Sequence, residues 1–355
     1  MIYAWHGSEA FNDFLDRHLK DLAKETVKAL GDNLIALILA GGYGRGEGGV
    51  IVKDGTEWPY NDLDLVLVVK NANFDSNKIL MPISRDFAGK LEIHVDFSRP
   101  LTIGNLKNLP HKLMWQDLLN GHIILYGPPD ILTSNMPAYM RDTLPRIEAT
   151  HLMLNRGAGL IWSFRIIYGY INNSEEDFVR RNFFKAALAI GDAILIAAGR
   201  HQTAYRGRDR LLAEVLKNDE FGEFNEFLSV YVQALQFKFS PDNERERCFT
   251  AEKIYSLAKL LIKVFLRIEE KRLNKVFGNA FQYFVWRGIR EKKEHQTWRL
   301  VRNILKNASM KRFSIRYPRE SLFRRLPLLL EQAEKPSQKW KVNSENFMRI
   351  WENFN

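Results

Sequence analysis

Apolar positions recur along this chain with two different periods, and the change from one to the other divides it. Phe11, Phe14, Leu15, Leu19, Leu22 and Thr26 return at helical spacing, which predicts a helix over Ser8–Leu30 stopped by Gly31. The continuous apolar run Leu34–Ala40 predicts a buried strand. Val50–Lys53 and Thr56–Trp58 flank Asp54-Gly55, the signature of a two-residue hairpin. PYNDLDLVLV, Pro59–Val68, leads into a second apolar strand, and in Leu91–Phe97 the residues Ile93, Val95 and Phe97 alternate with Glu92, His94 and Asp96. Leu113–Leu119 reads as a helix, His122–Tyr126 as a short strand, and Gly127-Pro128-Pro129 as a domain boundary.

Beyond residue 131 the pattern is helical. Met153, Leu160, Ile161 and Phe164 mark one strongly apolar helix. Ser174 is placed to cap the next, with Glu175, Glu176 and Asp177 in its first turn and Gly199 past its end. Further helices are predicted over Phe221–Phe237, Ala251–Lys271, Ala280–Lys306 and Arg319–Gln332. The expected fold is therefore α+β. Residues 1–130 form a small mixed sheet with helices, carrying an inserted hairpin at about 48–60, and residues 131–355 form an all-α bundle.

The chemistry concentrates in two motifs. GGYGRGE, Gly41–Glu47, leaves the first strand as a glycine-rich turn, in which Gly41 and Gly42 let backbone N–H groups approach phosphate without a side-chain clash. Asp62 and Asp64 stand two apart at the start of the next strand, so both point to one face. Two carboxylates there repel and gain nothing from burial, and a divalent cation relieves them. A phosphate-binding turn beside a carboxylate pair is equipment for phosphoryl or nucleotidyl transfer.

GGYGRGE with PYNDLDL resembles the catalytic signature of the nucleotidyltransferase superfamily of DNA polymerase β-like fold: a glycine turn, Asp-apolar-Asp, then a third Asp on a later strand. Within it the motif is most similar to bacterial nitrogen-regulator uridylyltransferases and to antibiotic nucleotidyltransferases. The resemblance covers about the first third of the chain. It departs from the usual spacing in the 19 residues between Gly42 and Asp62, which the inserted hairpin accounts for. The resemblance implies Asp62, Asp64 and Asp96 as catalytic metal ligands for Mg²⁺ or Mn²⁺, an NTP as substrate, and pyrophosphate as product. The acceptor is expected to be a small molecule or a protein side chain. The alternatives are an RNA-modifying transferase of toxin-like or terminal type and a non-catalytic nucleotide-binding regulator. His94 shares the polar face of Asp96 and is assigned no role.

Three cations join the candidate list. Arg45 either neutralises phosphate charge or pins the glycine turn through Glu47. Arg181 and Lys185 fall on one stripe with Asp192, in a helix otherwise rich in apolar residues. They either approach the triphosphate or acceptor or belong to a structural ion-pair network.

Charge sharpens the division. Residues 1–130 carry 13 basic and 17 acidic side chains, residues 131–355 carry 39 and 25, and the whole chain has a formal net charge of +10. Arg287–Arg325 holds 13 basic against 3 acidic residues, interleaved with Trp298, Phe313 and Tyr317. That composition allows RNA contact, but the spacing of Trp298 with Leu300, Ile304 and Leu305 predicts a core face there instead. The single cysteine, Cys248, excludes an intramolecular disulfide and a cysteine-rich zinc site. The N-terminus shows no signal peptide, and Ala186–Gly199, the most apolar stretch, is too short to span a bilayer and contains Asp192. A cytoplasmic protein with no membrane partner is the expectation.

Overall fold

The computed structural model describes residues 1–172, 177–217, 221–241, 249–292 and 296–354. In chain order these form α1 (Glu9–Leu30), β1 (Leu34–Leu39), α2 (Gly41–Gly44), β2 (Gly49–Lys53), β3 (Thr56–Tyr60), β4 (Asp62–Val69), α3 (Ser76–Leu91) and β5 (His94–Phe97). Next come α4 (Ile103–Lys107), α5 (Leu113–Asn120), β6 (Ile123–Tyr126), α6 (Ile131–Asn135), α7 (Ile147–Ile167) and α8 (Phe178–Ala197). The chain ends with α9 (Arg208–Leu216), α10 (Leu228–Phe239), α11 (Ala251–Leu273), α12 (Ala280–Val285), α13 (Leu300–Ser309), α14 (Pro318–Gln332) and α15 (Gln338–Phe354). The fold is α+β, a small mixed sheet with helices and a helical part.

The chain forms two compact units. The first comprises Met1–Pro145, Gly199–Lys217 and Phe224–Arg245; the second comprises Arg146–Ala198, Asn218–Glu223 and Glu246–Asn355. The first unit thus runs past Gly127-Pro128-Pro129 and takes in α9 and α10 from the later, helix-rich sequence.

In the first unit the sheet order is β5-β4-β1-β6. β1 pairs antiparallel with both β4 and β6, and β4 pairs parallel with β5. β1 and β4 bury their apolar side chains: Leu37, Leu39, Leu63, Leu65 and Leu67 join Phe11, Leu15, Leu19 and Leu22 of α1 in one core. Full burial of each such side chain contributes roughly 1.5–3 kcal/mol. Ala36, Ile38, Val66 and Val68 point to the other face, against Leu106, Leu118 and Leu132 of α4–α6. α1 starts as its sequence predicts, with the Ser8 hydroxyl accepting from the Phe11 N–H, and stops at Gly31 with φ 50°. The hairpin is also as predicted: Lys53 pairs with Thr56 around Asp54 (φ 49°) and Gly55 (φ 77°).

The described part of the second unit is helical. α7, α8, α11 and α14 bury Leu160, Phe164, Ile190, Ile194, Leu261, Phe265 and Leu326.

Three expectations need correction. The strand expected over Leu91–Phe97 begins only at His94, because Leu91 ends α3 and Glu92 turns through the left-handed region at φ 54°. The helix expected over Ala280–Lys306 is interrupted: α12 stops at Trp286, and Arg290 turns inward, donating to the Tyr283 and Trp286 carbonyls while Glu320 accepts from its backbone N–H. The core face expected from Trp298, Ile304 and Leu305 is exposed, while Asn303 and Asn307 of the same helix are buried. The expected cap at Ser174, with Glu175 and Glu176, lies outside the described residues, as does Cys248. Asp177 sits at the N-cap of α8.

Candidate active site

β1 delivers the chain to the site through Ala40, whose N–H donates to the Asp64 carbonyl at 2.8 Å. Gly41 follows with φ +64°, the left-handed region that favours glycine. A methyl group built on Gly41 would collide with Asp64 Oδ2, so a side chain here would displace that carboxylate. Gly42, in contrast, lacks positive φ, and its α-carbon faces the backbone of Glu47 and Gly48. The conformational demand therefore falls on Gly41. The turn proceeds as α2, whose first main-chain bond runs from the Gly44 N–H to the Ala40 carbonyl at 2.9 Å. The N–H groups before it belong to the start of a helical turn, where the backbone has no intrahelical acceptor.

The acids come from the neighbouring strands. Asp64 pairs in register with Asp96 across the parallel β4–β5 pair, and Asp62 pairs with His94 one pleat earlier. Register partners on adjacent strands stand about 4.8 Å apart and project to one face. Leu63, Leu65 and Val95 on the other face are buried, whereas Asp64, His94 and Asp96 are exposed and Asp62 is half-buried. Asn61 enters β4 with φ 82°, and its Nδ2 donates to Asp62 Oδ1. The structure thus brings Gly41, Asp62, Asp64 and Asp96 together at one end of the sheet. Hard carboxylate oxygens suit Mg²⁺ or Mn²⁺, and the side-chain-free Gly41 leaves Asp64 Oδ2 its place. Among the described residues, no three or more His, Cys, Asp or Glu side chains are grouped so that they could hold a metal ion as they stand.

Tyr43 locks the turn to the hairpin. Its buried hydroxyl donates to the Gly49 carbonyl at 2.6 Å and accepts from the Tyr60 N–H at 2.7 Å. Burial raises its pKa above the ordinary tyrosine value, and the nearby Asp62 charge adds to the rise, so the group stays a neutral donor.

Arg45 Nε lies 3.5 Å from Glu47 Oε2, and its guanidinium stands over the Tyr205 ring at 5.6 Å. Glu47 is buried and accepts from the Tyr205 and Arg206 N–H groups, both at 3.0 Å. The stretch around Tyr205 escaped the sequence reading because its contacts to the glycine turn span some 158 residues of chain. Arg181 and Lys185 lie on α8 of the second unit. Arg181 Nε is 3.7 Å from Asp177, an ion pair within that helix, and Asp192 is buried.

The sequence matches no protein-family model and no curated protein.

Proposed function

We propose that this chain is a metal-dependent nucleotidyltransferase. It would move a nucleoside monophosphate from an NTP to a hydroxyl of a small-molecule or protein acceptor. The observation that carries the reading is the register of Asp64 with Asp96, with Asp62 two residues before Asp64 and Gly41 against its carboxylate. Three acids gathered on one accessible face repel one another without any gain from burial, an arrangement that a divalent cation makes favourable.

Mg²⁺ or Mn²⁺, when bound, would neutralise triphosphate charge and stabilise the entering and leaving oxygens of an in-line displacement. Asp62 and Asp64 would hold the ion on the triphosphate side. Asp96 would complete the ligand set and take the proton of the acceptor hydroxyl. The hydroxyl oxygen then bonds to the α-phosphorus, the α–β bridging bond breaks, and pyrophosphate leaves. Gly41 and Gly42 would admit the β- and γ-phosphates to the backbone N–H groups. Arg45 sits where it can hold the turn in shape through Glu47. Arg181, paired with Asp177, and Lys185 lie on α8 of the second unit and take no part in this step. A cytoplasmic setting suits the chain. No helix among the described residues is long and apolar enough to cross a membrane.

The test is incubation of the purified chain with each labelled NTP, Mg²⁺ or Mn²⁺, and cell extract. The expected result is label on a discrete acceptor, lost in Asp64→Asn. Label confined to RNA would favour the RNA-modifying alternative. Absence of transfer and of hydrolysis with every NTP and both metals would overturn the catalytic reading.

A further inference from the structure

The helix α13 turns its apolar side to solvent. Trp298, in the turn just before the helix, is 71% exposed, Val301 and Leu305 are 67% and 65% exposed, and Ile304 is 47% exposed. With Ala308, also exposed, they form the stripe that a helical period generates. The opposite face presents Asn303 and Asn307, both fully buried. Asn307 Nδ2 donates to the Asn303 and Arg316 carbonyls, so the polar face is held by hydrogen bonds. Just beyond, Phe313 and Ile315 are exposed as well. Water-facing apolar groups gathered in one short segment mark an interaction surface.

Cations border this stripe. Arg302, Lys306 and Arg299 are half-buried and follow one edge of the stripe round toward the buried face, with Arg302 and Lys306 over the Tyr317 ring, and Lys311 just beyond the helix is exposed. Positive charge also accumulates among the neighbouring arginines. Burial lowers the Arg324 pKa, and repulsion from Arg287, Arg325, Arg290 and Arg316 lowers it further.

We propose that the α13 face docks on an anionic membrane surface, with Trp298, Val301, Ile304 and Leu305 among the acyl chains and the bordering cations at the headgroup phosphates. A helix with an aromatic-aliphatic face and Lys/Arg along one flank, too short to span, lies in the plane of such an interface. RNA is the weaker occupant, because Val301, Ile304, Leu305 and Ala308 offer bases no stacking surface. A second copy is weaker too, because pairing this face with itself would set Arg299, Arg302 and Lys306 against their own images. The expectation of no membrane partner weighed only spanning segments, and an interfacial helix needs none.

The experiment is sedimentation of the full chain with vesicles of phosphatidylcholine alone and of phosphatidylcholine with phosphatidylserine, at low and high salt. Binding should be at least about tenfold tighter to the anionic vesicles and weaken with salt. The double variant I304E/L305E should reduce it by about tenfold or more. Both side chains are exposed, so circular dichroism and thermal unfolding should match the parent. A second variant, K311E, should weaken anionic-vesicle binding about twofold to tenfold while leaving the apolar stripe intact. The proposal fails if the parent does not bind, or if I304E/L305E folds and binds as the parent does. It also fails if the stripe instead mediates dimers or RNA binding that I304E/L305E abolishes while vesicles bind neither protein.

Discussion

Asp64 and Asp96 are register partners on adjacent parallel strands, and both side chains are exposed. They lie far apart in sequence, separated by all of α3, yet the strand spacing brings their backbones to about 4.8 Å. Carboxylates on such neighbours can share one ion or bind two, whereas a same-strand pair such as Asp62 and Asp64 is offset by a full pleat. The cross-strand pair is what turns a motif into a candidate metal centre.

Asp64→Asn should abolish nucleotide transfer and leave the fold intact. The substitution keeps the shape of the side chain and removes one of three mutually repelling charges. The metal-free thermal midpoint should therefore hold or rise by a few degrees, about 0–1 kcal/mol. Added Mg²⁺ with NTP should raise the parent midpoint and not that of the variant. Full turnover in Asp64→Asn at ordinary Mg²⁺ would remove the proposed mechanism.

Asp96→Ala separates binding from chemistry. Asp62 and Asp64 remain to hold the metal–NTP complex, so calorimetry should still detect nucleotide binding. Turnover should drop by about 100-fold or more, because the proton acceptor of the attacking hydroxyl is gone. Unchanged turnover would make Asp96 an ordinary strand residue, and Glu92 the next acid to test.

Most of the first unit was legible in the sequence because its signals are local. Ser8 and Gly31 bound α1, Asp54-Gly55 specifies the hairpin, and the alternation around Asp96 marks an exposed polar face. α3 was missed because Pro82 lies inside it and its buried residues Leu80, Phe87 and Leu91 are sparse. The return of Tyr205 and Arg206 to Glu47 was invisible because it rests on backbone N–H groups, which every residue possesses. The α13 face was misread for another reason. Periodicity reports that a helix is amphipathic, but not which side faces the core, and here the Asn307 amide donates to the Arg316 carbonyl and Asn303 Oδ1 accepts from Arg302.

Gly41→Ala and Gly42→Ala should differ sharply. At Gly41 the methyl group meets positive φ and Asp64 Oδ2, so the variant is strained by about 1–3 kcal/mol and its carboxylate is displaced. Gly42 has ordinary φ, and its nearest neighbour, the Glu47 carbonyl oxygen, stands 3.3 Å from the added carbon, a tight but smaller intrusion. Denaturant midpoints and NTP binding should both fall further for Gly41→Ala. Equal effects at the two positions would argue against a role for the Gly41–Asp64 contact.

The second unit carries a pH-dependent contribution centred on His151. Its Nδ1 is 2.9 Å from Glu148 Oε1 and its Nε2 is 3.1 Å from Glu291 Oε1, while Arg319 closes on Glu291. Burial works to lower the His151 pKa, but the hydrogen bonds to Glu148 and Glu291 prevail and raise it above its ordinary 6.5. Burial likewise works to raise Glu291, but the His151 hydrogen bond and the Arg319 charge prevail and bring it from 4.5 to about 2. The raised histidine contributes stability that is complete below pH 6.5 and lost as pH rises through its folded value. The depressed carboxylate contributes stability that is complete above pH 4.5 and lost as pH falls toward about 2. Both contributions are complete together only between about pH 4.5 and 6.5. His151→Gln should therefore cost about 2–4 kcal/mol in that window, since it removes the imidazolium that Glu148 and Glu291 share and leaves Arg319 closing on Glu291. The deficit relative to the parent should shrink as pH rises and the parent histidine becomes neutral. Urea unfolding of both proteins across the pH range measures it. A deficit that stays constant from about pH 5 to about pH 9 would show that His151 acts through packing alone, not through its charge.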